Sequence, residues 1–122
     1  MKILLVDDDA DIRLILGVAL QRVGGFEVVE AASLTDAVRE IGAGAFDAIL
    51  TDLQLPDGSG AELLARPAGE RPLVFVLTSG ADDETRRTLL AAGARDVLAK
   101  PFDPFTVATT VRQQLGSAPG AP

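Results

Sequence analysis

The sequence contains no cysteine, histidine, tryptophan or tyrosine. Without thiols and imidazoles, the chain cannot build a cysteine or histidine metal site, a cysteine nucleophile or a Ser-His catalytic triad. Basic residues are also few, with 11 Lys and Arg against 18 Asp and Glu. The net charge of −7 disfavours direct binding to nucleic acid or to an acidic membrane surface. The longest apolar runs are far too short to span a bilayer, so we expect a cytoplasmic protein.

Aliphatic residues are abundant, and hydrophobic residues make up 48% of the 122 residues. A chain of this length suits one domain with a real core. We predict that this domain covers residues 1–116. Residues 117–122 contain only Ser, Ala, Pro and Gly, so we predict a flexible tail or the start of a linker there.

Short apolar runs alternate along the chain with longer amphipathic stretches, which is the pattern of an α/β fold. Short connections between five strand–helix pairs predict a parallel sheet with right-handed crossovers and helices on both of its faces. Residues 56–60 have the composition of a loop. The predicted strands are 2–6, 26–31, 48–51, 73–77 and 97–99, and the predicted helices are 10–23, 33–41, 61–66, 82–92 and 103–115.

Residues with useful chemistry follow four of the five predicted strands. In an open parallel sheet all strands end at the same edge, and ligands bind in the crevice outside those carboxyl ends. The second strand ends in alanines, which offer no chemistry to such a site. The residues that follow the other four strands are, in chain order, Asp7, Asp8 and Asp9, then Thr51 and Asp52, then Thr78, Ser79 and Gly80, and finally Lys100 and Pro101.

A cluster of carboxylates at this edge would need a cation. Two carboxylates about 6 Å apart repel each other by roughly 3 kcal/mol at an effective dielectric constant near 20. A site made only of oxygen ligands suits Mg²⁺, with Mn²⁺ or Ca²⁺ as substitutes, rather than zinc or copper. A carboxylate is also a phosphoryl nucleophile. A hydroxyl from Thr78 and an ammonium from Lys100 would remain to hold a phosphoryl group.

Each of these residues has a plainer explanation when taken alone. Asp8, Asp9 or Asp11 could cap the first helix, and Asp9 is the best candidate for that cap. Asp52 could be a loop acid, Thr78 a turn residue and Lys100 a solvated surface lysine. Their joint placement at four separate strand ends favours a functional site.

At this point the chain resembles the receiver domain of two-component response regulators, and in particular the chemotaxis regulators. The resemblance covers nearly the whole chain, from Lys2 to about Leu115. It implies a flavodoxin-like, three-layer fold of five βα units with the strand order 2-1-3-4-5. The segments that carry it are residues 3–9, 52–60, 77–80, 93–96 and 100–102.

The resemblance implies roles in metal binding and phosphoryl acceptance. Asp52 would be the residue that becomes phosphorylated. Asp8 and Asp52 would bind Mg²⁺ directly, together with the backbone carbonyl of Gln54. Asp7 would act on the metal through water.

The resemblance also implies how a phosphoryl group is held and sensed. Thr78 and Lys100 would contact phosphoryl oxygens, and the peptide bond before Pro101 would be cis. Thr78 would move toward the phosphoryl group. The chain departs from the family at Val97, where a Tyr or Phe usually couples to the threonine, and at Ser79, where Ala is common. Residues 66–72 look like a shortened third helix and loop.

The partners follow from the same resemblance. The phosphoryl donor would be a histidine kinase or a phosphotransfer protein. The output would be a conformational change that acts on a downstream protein target or on a C-terminal effector domain that is missing here. Two copies would pair on phosphorylation. The chain would not be an enzyme, beyond catalysing its own phosphorylation and dephosphorylation.

Two alternatives remain open on the sequence. A pseudo-receiver would keep the fold as an interaction module without phosphorylation, and Val97 is the feature that favours it. A phosphatase of the haloacid dehalogenase type would use Asp7 as nucleophile and Asp9 as its partner acid, because those enzymes place two acids two residues apart after the first strand.

Overall fold

The computed structural model describes residues 1–64 and 71–116. The predicted tail at 117–122 and the end of the predicted third helix lie outside the described residues. None of the helices in the described part is long and apolar enough to cross a membrane.

The described residues form a central parallel sheet of five strands with helices on both faces. The strand order is β2-β1-β3-β6-β7, which is the predicted order 2-1-3-4-5 once two short hairpin strands are left out of the count. The predicted fold is therefore confirmed. The sheet strands are β1 (Lys2–Val6), β2 (Glu27–Ala31), β3 (Ala48–Asp52), β6 (Leu73–Thr78) and β7 (Asp96–Ala99).

Four α-helices begin at capping side chains that the sequence provides. Asp9 accepts hydrogen bonds from the backbone N–H groups of Asp11 (2.9 Å) and Ile12 (3.3 Å), which confirms its predicted role as a cap. Ser33 caps the second helix, Asp82 the third and Asp103 the fourth in the same way. The helices are α1 (Ala10–Arg22), α2 (Leu34–Ala43), α3 (Asp83–Ala91) and α4 (Pro104–Gly116).

The sheet separates two hydrophobic layers, because successive strand residues point to opposite faces. One layer packs α1 and α4 against the sheet through residues such as Leu20 and Val111. The other packs α2 and α3 through residues such as Ala37 and Leu89. Both layers are closed by strand residues that are fully buried, so the sheet edge where the strands end is held rigidly.

The structure corrects two predictions in the segment after β3. The loop predicted at 56–60 is part of a small antiparallel hairpin of β4 (Gln54–Leu55) and β5 (Gly58–Ser59), closed by the turn residues Pro56 and Asp57. In place of the α-helix predicted at 61–66, the described residues form a 3₁₀ helix, Gly60–Leu64. The backbone N–H of Gly60 is already bonded to the carbonyl of Leu53, at 2.7 Å, which ties the start of this segment to the end of β3.

Candidate functional site

Three carboxylates converge at the carboxyl edge of the sheet, between the ends of β1 and β3. One oxygen from each of Asp7, Asp8 and Asp52 can be chosen so that all lie within 4.8 Å of one another. Asp7 is only 1% exposed, Asp52 is half-buried and Asp8 is exposed. The structure therefore brings together the acids that the sequence places after two different strands.

Asp7 is the most constrained of these acids. Its Oδ1 accepts a hydrogen bond from the backbone N–H of Asp9 at 2.9 Å. Its Oδ2 is buried and accepts no hydrogen bond from any residue that the structure describes. Burial raises the pKa of the Asp7 carboxyl above its ordinary value, and the charges of Asp52 and Asp8 act in the same direction.

One ammonium group faces this cluster from the end of β7. The Nζ of Lys100 lies 3.2 Å from Oδ2 of Asp52 and 3.6 Å from Oδ2 of Asp7. The longer distance is that of an ion pair rather than a hydrogen bond. The backbone N–H of Lys100 donates to the carbonyl of Thr78 at 3.0 Å, and the Lys100–Pro101 peptide bond is cis.

Thr78 ends β6 next to these residues. Asp52 is paired in the sheet with Leu77, so Thr78 lies one residue beyond the neighbour of Asp52. The side chain is buried, and its hydroxyl accepts a hydrogen bond from the backbone N–H of Gly80 at 3.0 Å. The same hydroxyl keeps a proton that it can donate.

Val97 lies in β7 and is only 2% exposed, within the layer that packs α2 and α3. A guanidinium from α3 covers this part of the strand, because Arg86 donates to the backbone carbonyl of Val97 and pairs with Asp96 at 2.9 Å. Gln114 of α4 donates to the other oxygen of Asp96 at 2.9 Å. The position of the usual aromatic residue is thus occupied by a buried aliphatic side chain beside a polar network.

Sequence reasoning missed the close approach of Gly60 to the backbone of Asp52. Gly60 lies so close to the carbonyl of Asp52 that an added Cβ would overlap it, and the side chain of Thr51 blocks the same space. The Thr51 hydroxyl donates to that carbonyl at 2.9 Å. A glycine directly after a hairpin was the only available signal, and it also fits an ordinary turn.

The residues present fit a divalent cation with a preference for oxygen. Three carboxylates face a single ammonium, so two negative charges have no partner among the described side chains. The buried Oδ2 of Asp7 lacks the hydrogen bond that a buried polar atom normally has. An all-oxygen donor set with these properties suits Mg²⁺, and Mn²⁺ or Ca²⁺ could replace it.

A comparison of the sequence with known protein families identifies the family of this chain. Residues 3–112 match the family described as the response regulator receiver domain. The chain belongs to this family. The receiver family places the chain among the signalling switches of two-component systems, and the predicted family is confirmed.

Relatives and solved structures agree with this assignment. The receiver is 39% identical over 104 residues to the swarming motility regulation protein RssB of Serratia marcescens, covering 84% of this chain and 47% of that protein. It is 36% identical over 115 residues to the phosphate regulon transcriptional regulatory protein PhoB of Klebsiella pneumoniae, covering 91% and 50%. The chain spans about half the length of these two curated relatives.

Two solved structures share the fold. The response regulator DrrB of Thermotoga maritima superposes with a TM-score of 0.83 at 33% identity, covering 95% of this chain and 52% of that one. The chemotaxis response regulator CheY4 of Vibrio cholerae gives a TM-score of 0.82 at 30% identity, covering 93% and 97%. The phosphatase alternative finds no support here, because Asp9, which it required as a catalytic acid, caps α1.

Proposed function

We propose that this receiver accepts a phosphoryl group on Asp52 in a Mg²⁺-dependent reaction and transmits its phosphorylation state as a change of conformation. The observation that carries the proposal is the ammonium of Lys100, 3.2 Å from Oδ2 of Asp52 in a cluster that also holds Asp7 and Asp8. A carboxylate that is paired with an ammonium and still open to the edge of the sheet can act as a nucleophile on phosphorus.

The chain's own residues supply most of the proposed chemistry. An oxygen of Asp52 forms a bond to phosphorus as the bond from phosphorus to the donor's imidazole nitrogen breaks. The Lys100 ammonium neutralises charge on one phosphoryl oxygen, and the Thr78 hydroxyl donates to another. In dephosphorylation, a water oxygen forms a bond to phosphorus as the bond from phosphorus to the Asp52 oxygen breaks, which releases inorganic phosphate and restores the carboxylate. The chain thus catalyses its own modification and is not an enzyme that turns over a separate substrate.

Asp8, Asp52 and the backbone carbonyl of Gln54 would hold the metal directly, and Asp7 would act on it through water. When bound, Mg²⁺ supplies positive charge to the phosphoryl oxygens. The backbone N–H of Gln54 already donates to Oδ1 of Asp52 at 3.4 Å, which keeps the segment that carries this carbonyl beside the acceptor.

The donor we propose is a histidine kinase or a phosphotransfer protein. An open groove of about 270 Å³ lies between α1 and α4. Both helices start directly after site residues, so the groove begins at the same edge of the sheet as the acid cluster. Leu14 and Phe105 are 66% and 59% exposed on its walls, and large exposed apolar side chains that cluster in this way mark an interaction surface. The residues lining the groove are Leu14, Ile15, Val18, Ala19, Pro104 and Phe105.

The output would be a change in the loops after β6 and β7, sensed through Thr78 and through the backbone beside Val97. A valine has no ring that could move between buried and exposed positions. A downstream protein or an effector domain in a longer chain would respond to this change, in the cytoplasm. Two copies would pair on phosphorylation through the face of α3, β7 and α4, where Arg86 and Asp96 form an ion pair within one chain.

The test of the proposal is the intact mass after incubation with Mg²⁺ and acetyl phosphate, for wild type and for Asp52→Asn. We expect one phosphoryl adduct in wild type, dependent on Mg²⁺ and absent from the variant. An adduct that persists in Asp52→Asn would place the acceptor elsewhere. No adduct in wild type, together with no Mg²⁺ binding in a calorimetric titration, would favour the pseudo-receiver.

A further inference from the structure

A side chain outside the acid cluster holds the backbone that carries it. Arg13, in the first turns of α1, donates from Nη1 to the backbone carbonyl of Asp7 at 2.7 Å. Its Nε donates to Oε1 of Glu30 at 3.1 Å, and Glu30 belongs to β2. The guanidinium therefore connects the end of β1 to the neighbouring strand, and only 20% of the Arg13 side chain is exposed.

The carbonyl that Arg13 binds belongs to the peptide unit between Asp7 and Asp8. A peptide unit is planar, so a bond to its oxygen fixes the plane and with it the direction in which Asp8 leaves the strand. No other described side chain holds this segment from α1, and the carboxylate of Asp8 has no hydrogen bond among the described residues. The orientation of Asp8 thus depends on this backbone contact and on the turn closed by the hydrogen bond from the Asp9 N–H to the Asp7 carboxylate.

We propose that Arg13 is a positioning residue for the cation site, acting through the carbonyl of Asp7, and that Glu30 orients Arg13 for this role. The proposal rests on the proposed function, because the cation that Asp8 would bind is Mg²⁺. Groups that orient metal ligands in this way change metal affinity by about 10-fold to 100-fold when they are removed.

Charge and positioning make opposite predictions for this residue. Arg13 is a cation near a site for a cation, so if it acted only through its charge, removing it would strengthen Mg²⁺ binding. If it acts by holding Asp7 and Asp8 in place, removing it weakens Mg²⁺ binding. The direction of the change therefore separates the two roles.

The variant that tests this is Arg13→Met, which keeps a long apolar stem and removes both the charge and the donors. Its matched control is Arg39→Met. Arg39 and Arg13 both line an open cavity beside the end of β2, but Arg39 pairs only with Asp36, at 3.3 Å, among the described residues. The measurement is the dissociation constant for Mg²⁺ by isothermal titration calorimetry at constant ionic strength. We expect binding about 10-fold weaker in Arg13→Met, and binding unchanged or slightly tighter in Arg39→Met.

Equal or tighter Mg²⁺ binding by Arg13→Met would overturn the proposal. A purely structural role would lower the thermal unfolding midpoint in EDTA and leave the dissociation constant unchanged, which also overturns it. If Arg13→Met does not fold, Arg13→Lys and Glu30→Gln give the answer. A single ammonium cannot serve both acceptors as a guanidinium does, so Arg13→Lys should bind Mg²⁺ a few-fold more weakly. Glu30→Gln replaces the charged acceptor of Arg13 by a neutral one, which weakens the contact that orients the guanidinium, so this variant should also bind Mg²⁺ more weakly.

The experiments distinguish an error in the proposed function from an error in this inference. If wild type binds no Mg²⁺, the metal-dependent reaction is wrong, and the role of Arg13 falls with it. If wild type binds Mg²⁺ and forms the Asp52 adduct while Arg13→Met binds Mg²⁺ as wild type does, only the positioning role is wrong.

Discussion

The two halves of the carboxyl edge are built differently. The half formed by β1 and β3 contributes carboxylates that are held by several hydrogen bonds. The backbone N–H of Asp9 donates to the carboxylate of Asp7, Arg13 donates to the carbonyl of Asp7, and the backbone N–H of Gly60 donates to the carbonyl directly after Asp52. The half formed by β6 and β7 contributes a hydroxyl and an ammonium, on Thr78 and Lys100, with one backbone hydrogen bond between them. We infer that the first half binds a cation at fixed geometry and that the second half responds to the phosphoryl group.

The difference has a simple physical basis. Like charges that are held close together need a rigid frame, because each would otherwise move away or take up a proton. A hydroxyl and an ammonium carry no such repulsion and can adjust when a new anion arrives. Lys100→Met and Asp8→Ala each remove a group from only one of the two halves.

The largest effect is expected from Lys100→Met, which breaks the second half. Without the ammonium, the charge that develops on the phosphoryl oxygens loses a preorganised partner, and the rate of phosphorylation by acetyl phosphate should fall by about 100-fold or more. Mg²⁺ should bind the variant more tightly, because a competing cation is gone. Rates from intact mass and affinities from calorimetry check both directions, and an unchanged rate would remove Lys100 from the reaction.

Asp8→Ala breaks the first half. Losing a proposed direct ligand should weaken Mg²⁺ binding by at least about 10-fold, as even removal of an orienting group does. Thr78→Ala is the control from the other half, and it should leave the Mg²⁺ dissociation constant close to that of wild type. If calorimetry shows equal losses of Mg²⁺ affinity in the two variants, the assignment of cation binding to the first half is wrong.

Phe105→Ser and Leu14→Ser leave both halves intact and change only the groove beside them. For any phosphohistidine protein that phosphorylates wild type, we expect transfer to be slower by about 10-fold, since buried apolar anchors dominate binding energy at interfaces. Phosphorylation by acetyl phosphate should be unchanged, because this donor needs no docking surface. Slower reaction with both donors would mean that the substitutions disturb the site itself.

The smallest effect concerns the segment after β3, which Asp57 ties to α2. The side-chain hydroxyl of Thr35 and the backbone N–H groups of Thr35 and Leu34 donate to its carboxylate and lower its pKa from 3.8 to about 2. A carboxyl whose pKa is lower in the folded state stabilises the fold above its unfolded pKa, and loses that contribution as the pH falls toward 2.

Urea unfolding of wild type and Asp57→Asn between pH 6 and pH 3 tests this contribution. The free energy of unfolding should be larger for wild type above pH 5, and the difference should shrink as the pH falls below about 4. A difference that stays constant with pH would show that the hydrogen bonds stabilise the fold equally well without the charge.

The strand ends were predictable because the rule for parallel sheets is geometric. Once five strand–helix units are recognised, the residues after Val6, Thr51, Leu77 and Ala99 must share one edge. Local signals were equally clear at the helix starts, where Asp9 and Ser33 cap the helices that follow them. The acid cluster around Lys100 follows from these two facts.

What escaped prediction depends on contacts between distant segments. The second strand was expected to offer no chemistry, yet its Glu30 holds Arg13 against the carbonyl of Asp7. Asp57 was assigned to a loop, and its carboxylate reaches Leu34, 23 residues away. Such side-chain contacts have no local periodicity or composition, so they emerge only when the fold places the segments side by side. The short 3₁₀ helix was mistaken for an α-helix because a segment this short fits the sequence pattern of either helix type.

Gly60 has a consequence for how this chain can change in evolution. A single methyl group at that position would collide with the backbone of Asp52, even though it alters no charge, no metal ligand and no group that touches phosphate. The proposed phosphoacceptor, Asp52, is therefore vulnerable at a position that a survey of polar residues would overlook. We expect the replacement of one hydrogen atom at Gly60 to displace the backbone of Asp52, although it removes no side chain of the acid cluster.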